Sequence, residues 1–231
     1  MMLIILIVGT TLVSLAAAAH VRAVYRRHQR ERLRSGLTGA AVAELILRRA
    51  GIGDVEIAHA EGFLGDHYDP LHKRLVLSTE NYFGATPAAV GVAAHEAGHA
   101  LQHARAYRPL QWRMAAVGVT TYANQVVLWL PLLGAVTGFL QPMVAAWILA
   151  LAWGVIMLFN LVTLPVEFDA SRRAKLVLAD FGYIAPGEEA NGVKKVLDAA
   201  AWTYVAAFIT SLAYFLWYLL PLLTGGNRQR D

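Results

Sequence analysis

Four long stretches that carry no charge constrain this chain more than any other feature. Residues 3–19 (LIILIVGTTLVSLAAAA), 116–140, 142–165 and 203–223 are each long and apolar enough to be read as a helix crossing a bilayer. Inside the hydrocarbon core no water satisfies the backbone, so each N–H and C=O has to bond within its own segment, and a helix does that. The fold class expected is therefore mainly α, a four-span helical membrane protein. Its remainder is expected to be a membrane-surface, zincin-like catalytic section with a small β-hairpin. Composition agrees, since 57% of the 231 residues are hydrophobic and 16% charged, above the apolar share of an ordinary soluble domain.

Charge sets the topology. No basic residue precedes the first apolar run, whereas Arg22, Arg26, Arg27, Arg30, Arg32 and Arg34 follow it, which is the reverse of a cleaved signal sequence. The run is read as an uncleaved anchor with the N-terminus outside and residue 22 onward inside. Pro142 joins the second and third spans as a tight hairpin, so the polar section 166–202 returns to the same side. Arg172, Arg173, Lys175, Lys194 and Lys195 agree with that side, and Arg228 and Arg230 after the last span speak mildly against it. The segments expected are an anchor at 1–21, a cytoplasmic section at 22–115, a membrane hairpin at 116–165, a cytoplasmic helical section at 166–202 and a last span with its tail at 203–231. Topological arginines account for the net charge of +4, so a nucleic-acid partner is not expected. Cysteine is absent, which excludes disulfides and leaves His, Asp and Glu to hold any metal.

The polar section at 36–84 has its own signals. Thr38 is an N-cap for the run AAVAELILRRA, and Gly51 stops it. Residues 55–59 and 74–78 are β-prone and separated by Gly62, Gly65, Asp69 and Pro70, which reads as a hairpin with a long loop. The run 73–78 is a candidate exposed edge for pairing with an extended peptide. Thr86 and Pro87 then open a helix expected to continue to about residue 107, with Pro109 ending it.

That helix carries His95-Glu96-Ala97-Gly98-His99, an H-E-x-x-H motif. Four residues are a little over one turn, so both imidazoles leave one face and can meet one tetrahedral ion, with Glu96 beside them. The chemistry expected is peptide-bond hydrolysis, in which zinc acidifies its bound water and Glu96 removes the proton. The motif sits among Val92, Ala93, Ala94, Ala100 and Leu101, an apolar setting that gives its polar groups little structural reason to be there. His103 lies eight residues from His95, about 12 Å along a helix, too far for the same ion. A third protein ligand is still required. Asp66, His67, Asp69, Glu167, Asp169 and Asp180 are the candidates, and Glu167 is preferred because it is the first carboxylate after the membrane hairpin, opening a new helix behind Pro165.

The motifs GFLGDHYDP (62–70), AAHEAGHALQHA (93–104) and LPVEFDASRRA (164–174), with one span before and three after, resemble the YugP-type membrane zinc metallopeptidases along essentially the whole chain. That resemblance implies one Zn2+ per chain, peptidase activity, a peptide or membrane-protein substrate and a lipid bilayer as surroundings. The location implied is a bacterial plasma membrane with the active site facing the cytoplasm. A wider likeness to membrane gluzincins implies a glutamate ligand on a later helix, followed four residues on by an aspartate that orients a zinc ligand. Ser171 stands at that place, and Asp169 falls about 200° round the helix from Glu167 and off its face. The competing readings are an intramembrane protease of the site-two kind and a noncatalytic scaffold holding a structural zinc.

Overall fold

The computed structural model describes residues 1–61, 65–138 and 141–224. Gly62, Phe63 and Leu64 of the first motif, and Arg228 and Arg230 of the tail, lie outside them. In chain order the elements are α1 (Met2–His28), α2 (Gly39–Arg49), β1 (Glu56–Ala60), β2 (His67–Asp69), β3 (Arg74–Ser78), α3 (Thr79–Phe83), α4 (Pro87–Ala104), α5 (Arg108–Thr137), α6 (Pro142–Asp180) and α7 (Glu188–Thr224). The chain is mostly helical, and four of these helices, α1, α5, α6 and α7, are long and apolar enough to cross a membrane.

Two units divide the chain. One comprises Met1–Leu15, Trp112–Leu164 and Tyr204–Asp231. Many of its outward side chains are apolar, with Leu12, Leu128, Leu133, Leu151 and Leu220 exposed, a surface suited to acyl chains rather than water. Several of its polar groups are bonded internally, as the membrane interior demands. Asn160 donates to the Ala207 carbonyl at 3.2 Å and to Ser211 Oγ at 3.0 Å, and Thr163 Oγ1 donates to the Phe159 carbonyl at 2.8 Å. Trp153 stacks on Tyr214 with ring centroids 4.4 Å apart.

The other unit comprises Ala16–Gln111 and Pro165–Thr203. Its core joins Val42, Ile46, Leu75, Leu77, Val90, Ala93, Ala97, Leu178 and Val193. Local signals explain its helices. The Thr38 hydroxyl accepts from the Ala41 amide at 3.2 Å, α2 turns Val42, Ala43, Ile46 and Leu47 inward, and Gly51 follows with a φ of 71° that favours glycine.

The sheet differs from the expected hairpin. Its order is β1-β3-β2, with β1 parallel to β3 and β2 antiparallel to it. The hairpin is formed by β2 and β3, pairing His67 with Val76 and Asp69 with Arg74. Asp69 sets its turn by accepting from the Leu71 and His72 amides at 2.9 and 3.2 Å, so the chain enters β3 running the same way as β1. As the central strand, β3 has neighbours on both sides, and the expectation that 73–78 offers a free edge is overturned.

Two helix boundaries also differ. α4 ends at Ala104, and Pro109 lies within the first turn of α5, where its missing N–H costs nothing. α6 runs unbroken through Pro165, so Glu167 lies mid-helix rather than at a helix start. A proline inside a helix costs about 3 kcal/mol. Past it, Val166, Ala170, Ala174 and Leu178 form one fully buried stripe, and burying a valine or leucine contributes about 1.5–3 kcal/mol each, enough to carry the helix through.

Candidate metal centre

α4 starts where Thr86 accepts from the Ala89 amide at 3.1 Å and Pro87 takes the first position. Ala88, Ala89, Ala93, Ala94, Ala97 and Ala100 are buried along it. Side chains this small let neighbouring backbones approach. The approach is closest at Gly98, where an added β-carbon would lie 2.8 Å from the Ala170 carbonyl oxygen of α6. His95 and His99 flank Gly98 on one helix, and Glu167 and Ser171 flank Ala170 on the other. The crossing therefore brings these four side chains together.

His95 Nε2 lies 3.1 Å from Glu167 Oε2, and His99 Nε2 lies 3.6 Å from the same oxygen. Among the described residues, this is the group of three His, Cys, Asp or Glu side chains whose donor atoms all lie within 4.8 Å of one another. Zinc held tetrahedrally at ~2.0–2.1 Å sets its donors about 3.3 Å apart. The two separations from Glu167 bracket that value and all three donors lie within 4.8 Å, so the donor set fits zinc in chemistry and would need only a small closing of the histidine pair to reach its spacing. Glu167 is 2% exposed. A carboxylate this deep needs cationic or metal partners to stay ionised.

The remaining imidazole nitrogens are engaged as well. His95 Nδ1 lies 3.1 Å from Ser171 Oγ, and His99 Nδ1 lies 3.0 Å from Gln102 Oε1. Burial disfavours a charged His99, but the nearby carboxylates of Glu167 and Glu96 outweigh it and raise its pKa above the ordinary histidine value. Glu96 is 8% exposed, and no hydrogen bond or ion pair involves it among the described residues. Buried carboxylates are normally partnered, so this residue, next to His95 in the chain, is an exception that calls for an explanation.

The other candidates are occupied elsewhere. Asp66 accepts from the Ser78 amide at 2.8 Å and from Asn81 Nδ2 at 2.8 Å, fixing β3 to α3. The His72 imidazole and the turn amides hold the Asp69 carboxyl below the usual range. His67 donates to the Gly65 carbonyl at 2.7 Å. Asp169 binds Arg172 and Arg173, and Asp180 ends α6; neither belongs to the cluster. His103 lies 2.9 Å from the Tyr68 hydroxyl through its Nδ1. Burial, with the charges of Asp54 and Asp69, pushes the Tyr68 phenol up to about 12, so it stays protonated and donates to the ring.

Sequence reasoning missed Gln102. Its amide stands three residues after His99 on an alanine-rich helix, and no motif spacing singled it out.

The family described as "Putative neutral zinc metallopeptidase" matches residues 2–223, and this chain belongs to it. Membership supplies the class: a zinc metallopeptidase family, here in a chain with four membrane-length helices. Among individual relatives, the protein named "Putative membrane protease YugP" of Bacillus subtilis (strain 168) is 39% identical over 234 residues, covering 99% of this chain and 100% of the relative. No solved structure matches the chain.

Proposed function

We propose that the chain is a membrane-integrated zinc metalloendopeptidase in which His95, His99 and Glu167 hold one zinc and Glu96 is the general base. The observation that carries this reading is the convergence of three donors within 4.8 Å of one another beside a nearly buried carboxylate that forms no hydrogen bond or ion pair among the described residues. Zinc in such a site polarises the scissile carbonyl and makes water easier to deprotonate. His95 and His99 supply neutral nitrogens from one helix face, and Glu167 adds the negative charge from α6. Glu96 removes the proton from the attacking water and returns it to the leaving amine. A closed structural zinc takes four protein ligands, whereas three converge here among the described residues, which supports a position left open for reaction.

The unit that contains the site also contains Arg22, Arg26, Arg27, Arg30, Arg32 and Arg34, together with Lys175, Lys194 and Lys195. Basic residues flanking spans stay on the cytoplasmic side. Cleavage at the cytoplasmic surface of the plasma membrane follows, with peptides or exposed segments of membrane proteins as substrates. On this reading 22–115 and 166–202 are the cytoplasmic sections of a zincin-like catalytic body, and 1–21, 116–165 and 203–231 are the membrane parts. The test is metal analysis of detergent-purified protein with a broad peptide-cleavage profile. One zinc per chain with cleavage that a chelator abolishes is expected; cleavage undiminished in zinc-free protein would contradict it.

A further inference from the structure

Gln102 is 0% exposed, a turn beyond His99 on α4. Its Nε2 donates to the Val166 carbonyl at 2.8 Å and to Asp169 Oδ2 at 3.0 Å, while its Oε1 faces His99 Nδ1 at 3.0 Å. Satisfiability fixes the orientation of this amide. Turned end for end, it would set its oxygen against a carbonyl and a carboxylate, two acceptors with no hydrogen to offer. Oε1 therefore faces the imidazole, and because an amide oxygen only accepts, His99 Nδ1 must carry the hydrogen. In the neutral ring that a metal requires, His99 Nε2 is then the nitrogen with the lone pair, and it is the one 3.6 Å from Glu167 Oε2. Asp169 is itself held from outside by Arg172 and by Arg173, whose Nε lies 2.5 Å from Oδ2.

We propose that Gln102, backed by Asp169, is a positioning residue that selects the His99 tautomer and aims Nε2 at the metal. The proposal rests on the reading of His95, His99 and Glu167 as the zinc site. It also gives Asp169 a part that its place on α6 conceals. The carboxylate lies off the Glu167 face, yet it reaches a zinc ligand through an intervening amide. The two imidazoles differ in this respect. His95 Nδ1 meets the Ser171 hydroxyl at 3.1 Å, and a hydroxyl both donates and accepts, so Ser171 orients His95 without choosing its tautomer. His99 is the ligand whose protonated nitrogen is dictated by the fold.

The test uses full-length protein in detergent, with zinc affinity read by competition against a chromogenic chelator. Gln102→Met keeps the volume and removes all three hydrogen bonds. Partners of this kind typically contribute on the order of 10–100-fold to metal affinity, and a loss in that range is expected. Imidazole 15N shifts of zinc-loaded, histidine-labelled protein supply a readout that mere packing would not move. The His99 ring, assigned by its disappearance in His99→Asn, should carry hydrogen on Nδ1 in the wild type and show mixed forms in Gln102→Met. Zinc affinity within about twofold of wild type in folded Gln102→Met overturns the proposal. So does a wild-type His99 ring with hydrogen on Nε2, a measurement that stands even if the variant fails to fold. Glu167→Ala is run alongside. Its retention of tight zinc would overturn the metal-site reading itself, whereas zinc lost there but kept in Gln102→Met would overturn only the role of Gln102.

Discussion

Gly98 and Ala170 meet backbone to backbone, with room for no β-carbon between the glycine and the Ala170 carbonyl oxygen, which would stand 2.8 Å away. The neighbour is main chain, so it cannot swing aside as a flexible side chain would. Gly98→Ala must push α4 and α6 apart, and overpacking of this kind costs about 1–3 kcal/mol. The same shift separates the two histidines from Glu167. Thermal unfolding in detergent should show the loss of stability, and zinc titration should show weaker binding. Wild-type values in both would mean the helices do not cross at the distance described.

Ser171→Ala removes the hydroxyl 3.1 Å from His95 Nδ1 while leaving the donor set intact. Zinc affinity should fall by about tenfold, at the low end for partners of metal-binding histidines. Chelator competition measures it. An unchanged affinity would show that His95 is oriented by packing alone.

Glu167→Ala should lower zinc affinity by orders of magnitude, because only two protein donors would remain, and Glu167→His should restore part of it. Since α6 continues through Pro165, Glu167 cannot be explained as a charge at a helix N-terminus. Zinc removal is the companion measurement. A ligand bound only by the folded state raises the melting temperature, so a chelator should lower it in the wild type and leave Glu167→Ala unmoved. Equal responses in both proteins would exclude Glu167 as a ligand.

The chain contains no cysteine, so single introduced cysteines report without background. Positions 60 and 185 belong to the unit that carries the site, and the proposed topology puts both on the cytoplasmic side. Impermeant maleimide should label neither in intact cells and both after lysis. Labelling of either one from outside would reverse or split the proposed topology.

Much of this arrangement was legible in local sequence. Helix caps at Thr38 and Thr86 declare themselves because the hydroxyl and the amide it serves lie three residues apart. The membrane-length helices follow from uncharged runs, and the H-E-x-x-H spacing brings two imidazoles to one face without tertiary information. What failed depended on partners distant in the chain. Pro165 looked like a helix start because its local cost is clear, while the buried stripe from Val166 to Leu178 that offsets it belongs to tertiary packing. Residues 55–59 and 74–78 were recognisably β-prone, but their parallel pairing depends on the short β2 and on the turn at Asp69. Asp169 was weighed only as a ligand, and its link to Gln102 went unseen, since a hydrogen bond across 67 positions leaves no periodic mark on either helix.

Glu96→Gln tests the proposed chemistry most directly. The amide keeps the shape of the carboxylate but cannot take a proton, and Glu96 is not among the three converging donors. Zinc content and peptide hydrolysis should be measured on the same detergent-purified preparations of wild type and variant. The expected result is one zinc per chain in both, with hydrolysis nearly abolished in the variant. Hydrolysis retained by Glu96→Gln at full zinc content would contradict the assignment of Glu96 as the general base.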